Sequence, residues 1–341
     1  PGWPVRPMSD GPKTSLPRKL LGLTLRLGLA AACLVYVFWD LDLRRALDTL
    51  AAFQAAPLLL SLLLGLALFL FQGLRFRSIT GARATLFQAT LACVLGNGLN
   101  NIFPARLGEL GKALYLKRHA DIQVRECLGF IFWERFADLN LILALAVLAS
   151  LVSGKDFVWL PLALALGGVW VAVAVLLLLP PARRLLPRLI PIRSLRAVAE
   201  DMLGHFVEIS TPAFLARLVL LSALVWASQM VSFAYNANGV MGLGVNLGAI
   251  LAVLVASSLS FLIPSSPGGL GLYEAAMVFS FSWFGVDREA ALILALLLRL
   301  TQNLPSILVT VLLLGKEQLG PKALHSALQS FRGNAAKDDP A

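Results

Sequence analysis

Two polar stretches, rich in glycine and proline, interrupt long apolar segments of this chain. Residues 99–112 read LNNIFPARLGELGK, and residues 262–275 read LIPSSPGGLGLYEA. Both contain the pattern Pro-x-x-Leu-Gly followed closely by a glutamate, and each comes after an apolar stretch, Ala84–Phe103 or Asn246–Ile263. Proline and glycine end or break helices. Each stretch therefore predicts a broken helical hairpin, in which two helices meet at a polar turn.

The composition indicates the environment of these hairpins. Of the 341 residues, 58% are hydrophobic and only 14% are charged, with a mean hydropathy of +0.79. Soluble domains are about 45–50% apolar and about 25% charged, so an ordinary soluble protein and a disordered chain are excluded. We therefore expect a chain embedded in a membrane.

Six apolar runs are long enough to cross a bilayer, which takes about 20 residues. They are Leu20–Phe38, Pro57–Leu74, Gly129–Val152, Phe157–Pro180, Ala213–Tyr235 and Ala290–Leu314. The predicted fold is an all-α polytopic membrane protein with six full spans and two broken or re-entrant helical hairpins. The membrane domain covers residues 20–315, between a tail 1–19 and a tail 316–341. Residues 1–7 precede Met8 and are a candidate remnant of an expression tag.

The net charge of +10 is explained by orientation in the membrane rather than by nucleic-acid binding. Lys and Arg concentrate on the cytoplasmic side. Loops 75–83 and 104–128 are both basic, so the segment between them, Ala84–Phe103, is predicted to enter from inside and return. The stretch 246–284 either crosses twice or re-enters from outside, and the charge rule permits both. With the basic loop 181–212 also inside, we expect both termini to be cytoplasmic and no nucleic-acid partner.

The two hairpins also indicate an internal repeat. Each Pro-x-x-Leu-Gly motif is followed, at nearly equal spacing, by an arginine in the next helix, Arg135 or Arg299. The predicted topology starts repeat A (about 57–152) outside and repeat B (about 213–314) inside, with span 157–180 as the linker. Inverted repeats with interrupted helices are typical of transporters, whose substrates bind at the repeat interface.

Ionisable side chains within the apolar runs are the candidate functional groups, since a submerged charge needs a partner or water. They are Arg26, Glu134, Arg135, Asp138, Glu274 and Arg299. Arg26 is expected to reach the inner surface. Arg299 either forms an ion pair that locks helices together, for instance with Glu274, or binds a headgroup or ion. The amides of the tip Pro267–Gly271 could bind an anion at a helix start. Side chains of Asn97, Asn100 and Asn101 are expected to serve hairpin hydrogen bonds first and ligands second. The free thiols of Cys33, Cys93 and Cys127 are expected to pack.

The four motifs LNNIFPARLGELGKALYLKR, ERFADL, LIPSSPGGLGLYEA and RLTQNLPSILV resemble the transmembrane region of lysylphosphatidylglycerol synthases and related stand-alone flippase-like proteins. The resemblance covers about residues 20–315. In that family the membrane region is associated with lipid movement, and lysyl transfer belongs to a separate soluble domain. We expect no such domain after Gly315, so the resemblance implies a translocase rather than a synthase. The family motif positions map onto Asn101, Pro104, Arg106, Gly108, Glu109, Arg135, Asp138, Pro267, Gly268, Gly269, Gly271, Glu274 and Arg299.

We therefore expect a lipid translocase of the cytoplasmic (inner) membrane, moving an anionic phospholipid or a polyprenyl-phosphate-linked lipid through a polar path between the repeats. Expected substrate-binding residues are Arg106, Arg135, Arg299, Asn101, Gly268, Gly269 and Gly271. Expected charge-pairing or ion-coupling residues are Glu109, Glu134, Asp138 and Glu274. We expect no cofactor, metal or catalytic residue, and the chain is a candidate homo-oligomer. The alternatives are a membrane enzyme of lipid-linked sugar or phosphate metabolism, or an accessory membrane subunit.

Overall fold

The computed structural model describes residues 28, 31–37, 44, 48, 51, 53–103, 107–154, 159–179, 181, 185, 188, 196, 200, 211–261 and 266–317. Every regular element in these residues is helical, as predicted. Both predicted tails, except for residues 316 and 317, and most of the loop 181–212 lie outside the described residues. The same holds for most of the predicted span Leu20–Phe38, of which residue 28 and residues 31–37 are described and helical.

In the described residues between 53 and 179, the first half of the chain forms five helices. They are α1 (Ala55–Ile79), α2 (Leu86–Ile102), α3 (Gly108–Ala120), α4 (Val124–Ser153) and α5 (Trp159–Leu178). In residues 211–261 and 266–317, which the structure describes, the second half forms five α-helices, two π-helical segments and a 3₁₀ turn. They are α6 (Pro212–Ala234), the π segment Tyr235–Val240, α7 (Leu247–Ser260), the turn Pro267–Gly269, α8 (Leu272–Ser282), α9 (Arg288–Leu298), the π segment Arg299–Asn303 and α10 (Leu304–Glu317).

Within the described residues, four helical stretches are long and apolar enough to cross a membrane. They are Ala55–Ile79, Glu126–Ser153, Pro212–Val240 and Arg288–Gly315. Each contains most of a predicted span, and large apolar side chains such as Leu63, Leu220 and Leu312 are exposed on their outer faces. The 20-residue α5 coincides with a fifth predicted span. A multi-pass membrane protein is therefore established, whereas six spans and their orientation stay predictions.

The first predicted hairpin is formed by α2 and α3, which pack against each other. At its base, Thr85 and Gln88 form a reciprocal cap at the start of α2, and Gln88 Nε2 donates to the carbonyl of His119 at 2.6 Å. Near the tip, the amide of Gly108 donates to Asn100 Oδ1 at 2.8 Å. A β-carbon on Gly108 would lie only 1.9 Å from the carbonyl oxygen of Gly96, so glycine permits this close approach.

The second hairpin is formed by α7 and α8, which also pack together. The side chain of Asn246 caps the start of α7 by accepting from the amide of Ala249 at 2.9 Å. Between the helices, the turn Pro267–Gly269 and Gly271 use positive φ angles of +61° at Gly268, +66° at Gly269 and +85° at Gly271. Glycine adopts these angles at little cost, which explains why this tip is rich in glycine.

The two halves pack reciprocally. The first helices of the halves, α1 and α6, pack against each other. The first helix of each hairpin then packs against a candidate spanning stretch of the other half, α2 against α10 and α7 against α4. Glycine allows both crossings to be close, since a β-carbon on Gly98 would lie 2.5 Å from the Ser306 carbonyl oxygen and one on Gly248 would lie 2.9 Å from Ser153 Cα. Each hairpin is therefore inserted into the opposite half.

Candidate functional site

A network of buried charges joins four helices. Arg75 near the C-terminal end of α1 donates to both carboxylates of α4, with Nη2 3.0 Å from Glu134 Oε1 and Nη1 2.6 Å from Asp138 Oδ1. Lys112 of α3 donates to the second oxygen of Glu134 at 2.7 Å, and its ammonium lies over the Phe76 ring, 3.5 Å from the centroid. We call Arg75, Lys112, Glu134 and Asp138 the charge network.

The fourth helix, α6, completes this network with polar side chains. Trp226 Nε1 donates to Asp138 Oδ1 at 3.1 Å, and Ser222 Oγ lies 3.4 Å from Arg75 Nη1. Arg75, Lys112 and Glu134 are almost fully buried. Two cations facing two carboxylates balance the charge, and the hydrogen bonds offset much of the desolvation cost. The network therefore fixes α1, α3, α4 and α6 relative to one another.

A second ion pair closes the tip of the second hairpin. The Nε of Arg299 donates to Glu274 Oε1, and its Nη2 lies 3.3 Å from Glu274 Oε2. The remaining nitrogen, Nη1, donates to the carbonyl of Gly268 at 2.9 Å, and the guanidinium lies 4.8 Å from the centroid of the Tyr273 ring. Of the two roles expected for Arg299, the structure shows the ion pair with Glu274. The second hairpin thus engages all three guanidinium nitrogens of Arg299.

The same glutamate already fills the predicted anion site at the start of the following helix. Glu274 Oε2 accepts from the amide of Gly271 at 2.8 Å, directly before α8 begins. The amide of Gly269 donates to the carbonyl of Ser266 at 3.0 Å. A carboxylate at a helix N-terminus is stabilised by the helix dipole. The chain itself therefore provides the anion that this helix start favours.

Arg135 of α4 is held much more loosely than Arg299. Its Nη1 lies 3.4 Å from Asp138 Oδ2. Its Nη2 lies 3.6 Å from Glu109 Oε1, and this second distance is too long for a hydrogen bond. The side chain of Arg135 is 57% exposed, against 13% for Arg299. Arg135 lies about 14 Å along the helix axis from Glu126, where the candidate span begins. A half-exposed guanidinium at such a depth can accept an anionic group.

The tips of the two hairpins lie against each other. The end of α2 packs on the turn Pro267–Gly269, and a β-carbon on Gly268 would lie 2.8 Å from Asn101 Oδ1 and 3.5 Å from Arg299 Nη1. Asn101 Nδ2 donates to the carbonyl of Asn97 at 2.9 Å. The prediction that Asn100 and Asn101 serve hydrogen bonds within the hairpin is therefore confirmed.

Buried polar side chains also line the contact between the halves. Ser61 of α1 donates to Asn236 Oδ1 at 2.6 Å in the first π segment. Gln302 of the second π segment donates to Ser232 Oγ at 3.2 Å and accepts from Gln229 at 3.0 Å. A β-carbon on Gly65 would lie 2.5 Å from the carbonyl oxygen of Thr301, so α1 approaches this segment closely. Polar groups thus extend along the interface of the halves.

The structure separates the predicted site residues into three groups. Glu134 and Asp138 belong to the charge network, Arg299 and Glu274 close the second tip with Gly268, and Arg135 pairs with Glu109. Asn101, Gly269 and Gly271 lie at the hairpin tips. Arg106, Pro104 and Arg26 lie outside the described residues. Within the described residues, no group of three or more His, Cys, Asp or Glu side chains could hold a metal ion.

Arg75, Lys112 and Trp226 were not predicted as site residues from the sequence. The predicted span Pro57–Leu74 ended one residue before Arg75, which was assigned to the following loop, whereas α1 continues to Ile79. Lys112 was likewise counted among the cytoplasmic charges of the loop 104–128, although the largely apolar sequence ALYL follows it directly. Because a buried pair of carboxylates needs cations, Glu134 and Asp138 were a signal that more basic side chains had to be submerged.

Comparisons with known proteins agree with this architecture. A family model described as the lysylphosphatidylglycerol synthase TM region matches residues 23–310, which include both hairpins, three of the candidate spans in full and most of the fourth. A relative from Methanocaldococcus jannaschii, described as a UPF0104 membrane protein, is 25% identical over 204 residues, which cover 59% of this chain and 86% of the relative. The chain therefore belongs to the lysylphosphatidylglycerol synthase transmembrane-region family.

Proposed function

We propose that this protein is a lipid translocase that moves an anionic phospholipid or a polyprenyl-phosphate-linked lipid across the cytoplasmic membrane. The observation that carries the proposal is Arg135, a half-exposed cation within an apolar spanning helix. A charge submerged in the bilayer costs up to about 2.5–3.5 kcal/mol on insertion scales, so it is retained where it has a function. The phosphate of a lipid headgroup is a matching counter-ion.

Reciprocal packing supports a path between two inverted repeats. A pseudo-two-fold axis that exchanges α1 with α6 and α2 with α7 also exchanges the α2–α10 contact with the α7–α4 contact. Both hairpins then present their tips at the same central place, where Asn101 meets Gly268. In this arrangement the headgroup moves along polar side chains between the halves while the acyl or prenyl tails stay in the lipid.

The charged residues have separate roles in this proposal. Arg135 receives the anionic headgroup because its guanidinium is accessible and its ion pairs are long. Arg299 is a positioning residue, since Glu274 and Gly268 engage its three nitrogens. No covalent step is involved, and the protein is a transporter rather than an enzyme.

The membrane potential sets the favoured direction. Moving one negative charge outward across a membrane that is negative inside is favoured by about 2.3 kcal/mol per 100 mV. Export of a monoanionic lipid therefore needs no further energy source. Inward movement of a polyprenyl phosphate opposes the field and requires a coupled ion, for which Glu109 and Glu274 are the candidate carriers.

The proposal is tested with purified protein in liposomes that contain fluorescent phosphatidylglycerol, phosphatidylcholine or a labelled polyprenyl phosphate. A membrane-impermeant quencher reports transbilayer movement, with and without an imposed potential. We expect an anionic lipid to move faster than phosphatidylcholine and to respond to the sign of the potential. Movement of every anionic lipid at the rate of protein-free liposomes, under a potential or a proton gradient, would refute the proposal.

A further inference from the structure

We infer that Glu109 is a built-in substitute for the lipid phosphate. Its carboxylate pairs with Arg135 when no lipid is bound, and the anionic headgroup displaces it. This inference rests on the proposed function and identifies the group with which the substrate competes. It concerns one ion pair, between the start of α3 in the first hairpin and the middle of α4.

The distance between Arg135 and Glu109 and the exposure of both side chains indicate a contact that another anion can replace. The shortest distance between the two groups is 3.6 Å, and the side chains of Arg135 and Glu109 are 57% and 25% exposed. The other oxygen, Glu109 Oε2, is buried and has no hydrogen-bond partner among the described residues. A buried acceptor without a partner is unfavourable, so Glu109 loses little when it leaves Arg135.

The corresponding pair in the second hairpin shows what a permanent contact looks like. Both oxygens of Glu274 are engaged, by Arg299 and by the amide of Gly271. The Glu274 side chain is only 5% exposed. An incoming phosphate would have to break several charge-assisted hydrogen bonds there, whereas at Arg135 it replaces one long contact.

Among the described carboxylates near Arg135, Glu109 is the one that the charge network does not hold. The helix α3 packs mainly against α2 and α4, and α2 contains no Asp, Glu, Lys or Arg. On α4, Glu134 binds Arg75 and Lys112, and Asp138 accepts from Arg75 and Trp226. Both of those carboxylates are held by the charge network.

The ligand chemistry that fits is a phosphate with two accessible oxygens. A guanidinium binds such a group through two parallel N–H donors. A glycerophospholipid diester and a polyprenyl phosphate monoester share this chemistry, and the glycerol or prenyl part distinguishes them. Free phosphate presents the same oxygens without a lipid part.

Binding of short-chain ligands to detergent-solubilised protein tests the inference by isothermal titration calorimetry. The ligands are dihexanoyl phosphatidylglycerol, geranyl phosphate and inorganic phosphate, so that their affinities identify the source of the phosphate. Glu109→Gln removes the competing charge and is expected to tighten binding of the preferred lipid by about fivefold, the range of one partly exposed ion pair. Glu109→Ala must tighten binding as well.

Glu126→Gln is the matched control. It removes a carboxylate from another Arg pair, since Glu126 Oε2 lies 3.1 Å from Arg83 Nη1 on the exposed surface, and therefore changes the net charge equally. We expect no change in affinity for this variant. Equal tightening by Glu126→Gln would show that only the overall charge matters and would overturn the inference.

Two further results would overturn the inference: unchanged or weaker binding by both Glu109 variants, or tighter binding of inorganic phosphate than of both lipids. The liposome assay on the wild-type protein separates this failure from that of the proposed function. If the wild-type protein moves an anionic lipid but neither Glu109 variant binds it more tightly, translocation stands and displacement of Glu109 is wrong.

Discussion

Asn101 at the end of the first hairpin lies directly against Gly268 at the tip of the second, so that a β-carbon on Gly268 would come within 2.8 Å of Asn101 Oδ1. The contact joins residues that belong to opposite halves of the chain. It brings together the two helix breaks that interrupt the apolar sequence, with Arg299 beside them. The closeness of the tips is therefore a property of the tertiary structure rather than of either segment alone.

The first prediction concerns this contact. Gly268→Ala adds a β-carbon at a φ of +61° and pushes it against Asn101, so we expect a loss of about 2 kcal/mol or more and a melting temperature lowered by several degrees in detergent. Gly129→Ala is the control, because nothing lies within 4 Å of the added carbon in this helical position. Equal effects of the two substitutions would contradict the observed contact between the tips.

The second prediction concerns the ion pair that closes the second tip. Arg299→Gln removes the donors to Glu274 and to the Gly268 carbonyl, so residues 266–271 should exchange their amide hydrogens faster than in the wild-type protein. Hydrogen–deuterium exchange read by mass spectrometry measures this directly. Exchange in 85–90, at the base of the first hairpin, should stay unchanged. If the tip keeps its wild-type protection, Arg299 does not hold it.

The third prediction concerns the charge network. Glu134→Gln leaves the buried cations Arg75 and Lys112 with one carboxylate fewer, so we expect a destabilisation of about 3–5 kcal/mol. Thermal unfolding of purified protein checks this. Arg83→Gln breaks an exposed ion pair with Glu126 and should cost at most about 1 kcal/mol. A Glu134 variant as stable as the Arg83 variant would show that the network is dispensable.

The fourth prediction concerns the orientation of the first hairpin. In a variant whose three native cysteines are replaced by alanine, a cysteine at Ala105 should react with an impermeant maleimide only from the cytoplasmic side. Gln123→Cys is the inside control and Gln54→Cys the outside control, since both side chains are exposed and neither caps its helix. Labelling at Ala105 from outside alone would mean that the chain crosses the membrane there.

Local features of the sequence were sufficient to predict the helical hairpins. Proline and glycine in apolar segments had to interrupt helices, and the hydrogen-bonding role of Asn100 and Asn101 followed from the freed backbone groups. The Arg299–Glu274 pair was also predictable, because a submerged arginine requires a counter-ion. These conclusions depended on residue types and spacing, not on how the halves pack.

The difference between Arg135 and Arg299 was not predictable in this way. Both arginines follow the same motif in a neighbouring helix, yet one is accessible and the other is enclosed. That difference arises from contacts between distant segments, such as Gly268 with Arg299 and Glu109 with Arg135. Arg75 was missed for a related reason, since a charge at the end of an apolar run is consistent with both a loop and a buried partner.

The most direct test of the central claim is the rate at which the Arg135→Ala variant moves a fluorescent anionic lipid across reconstituted liposomes. The wild-type protein and Arg83→Ala, which removes an exposed arginine of the same charge, serve as references. Because Arg135 is the cation that receives the headgroup, we predict that Arg135→Ala loses at least about tenfold in rate, equivalent to about 1.4 kcal/mol, while Arg83→Ala keeps the wild-type rate. A correctly folded Arg135→Ala protein that moves the lipid as fast as the wild-type protein would contradict the account.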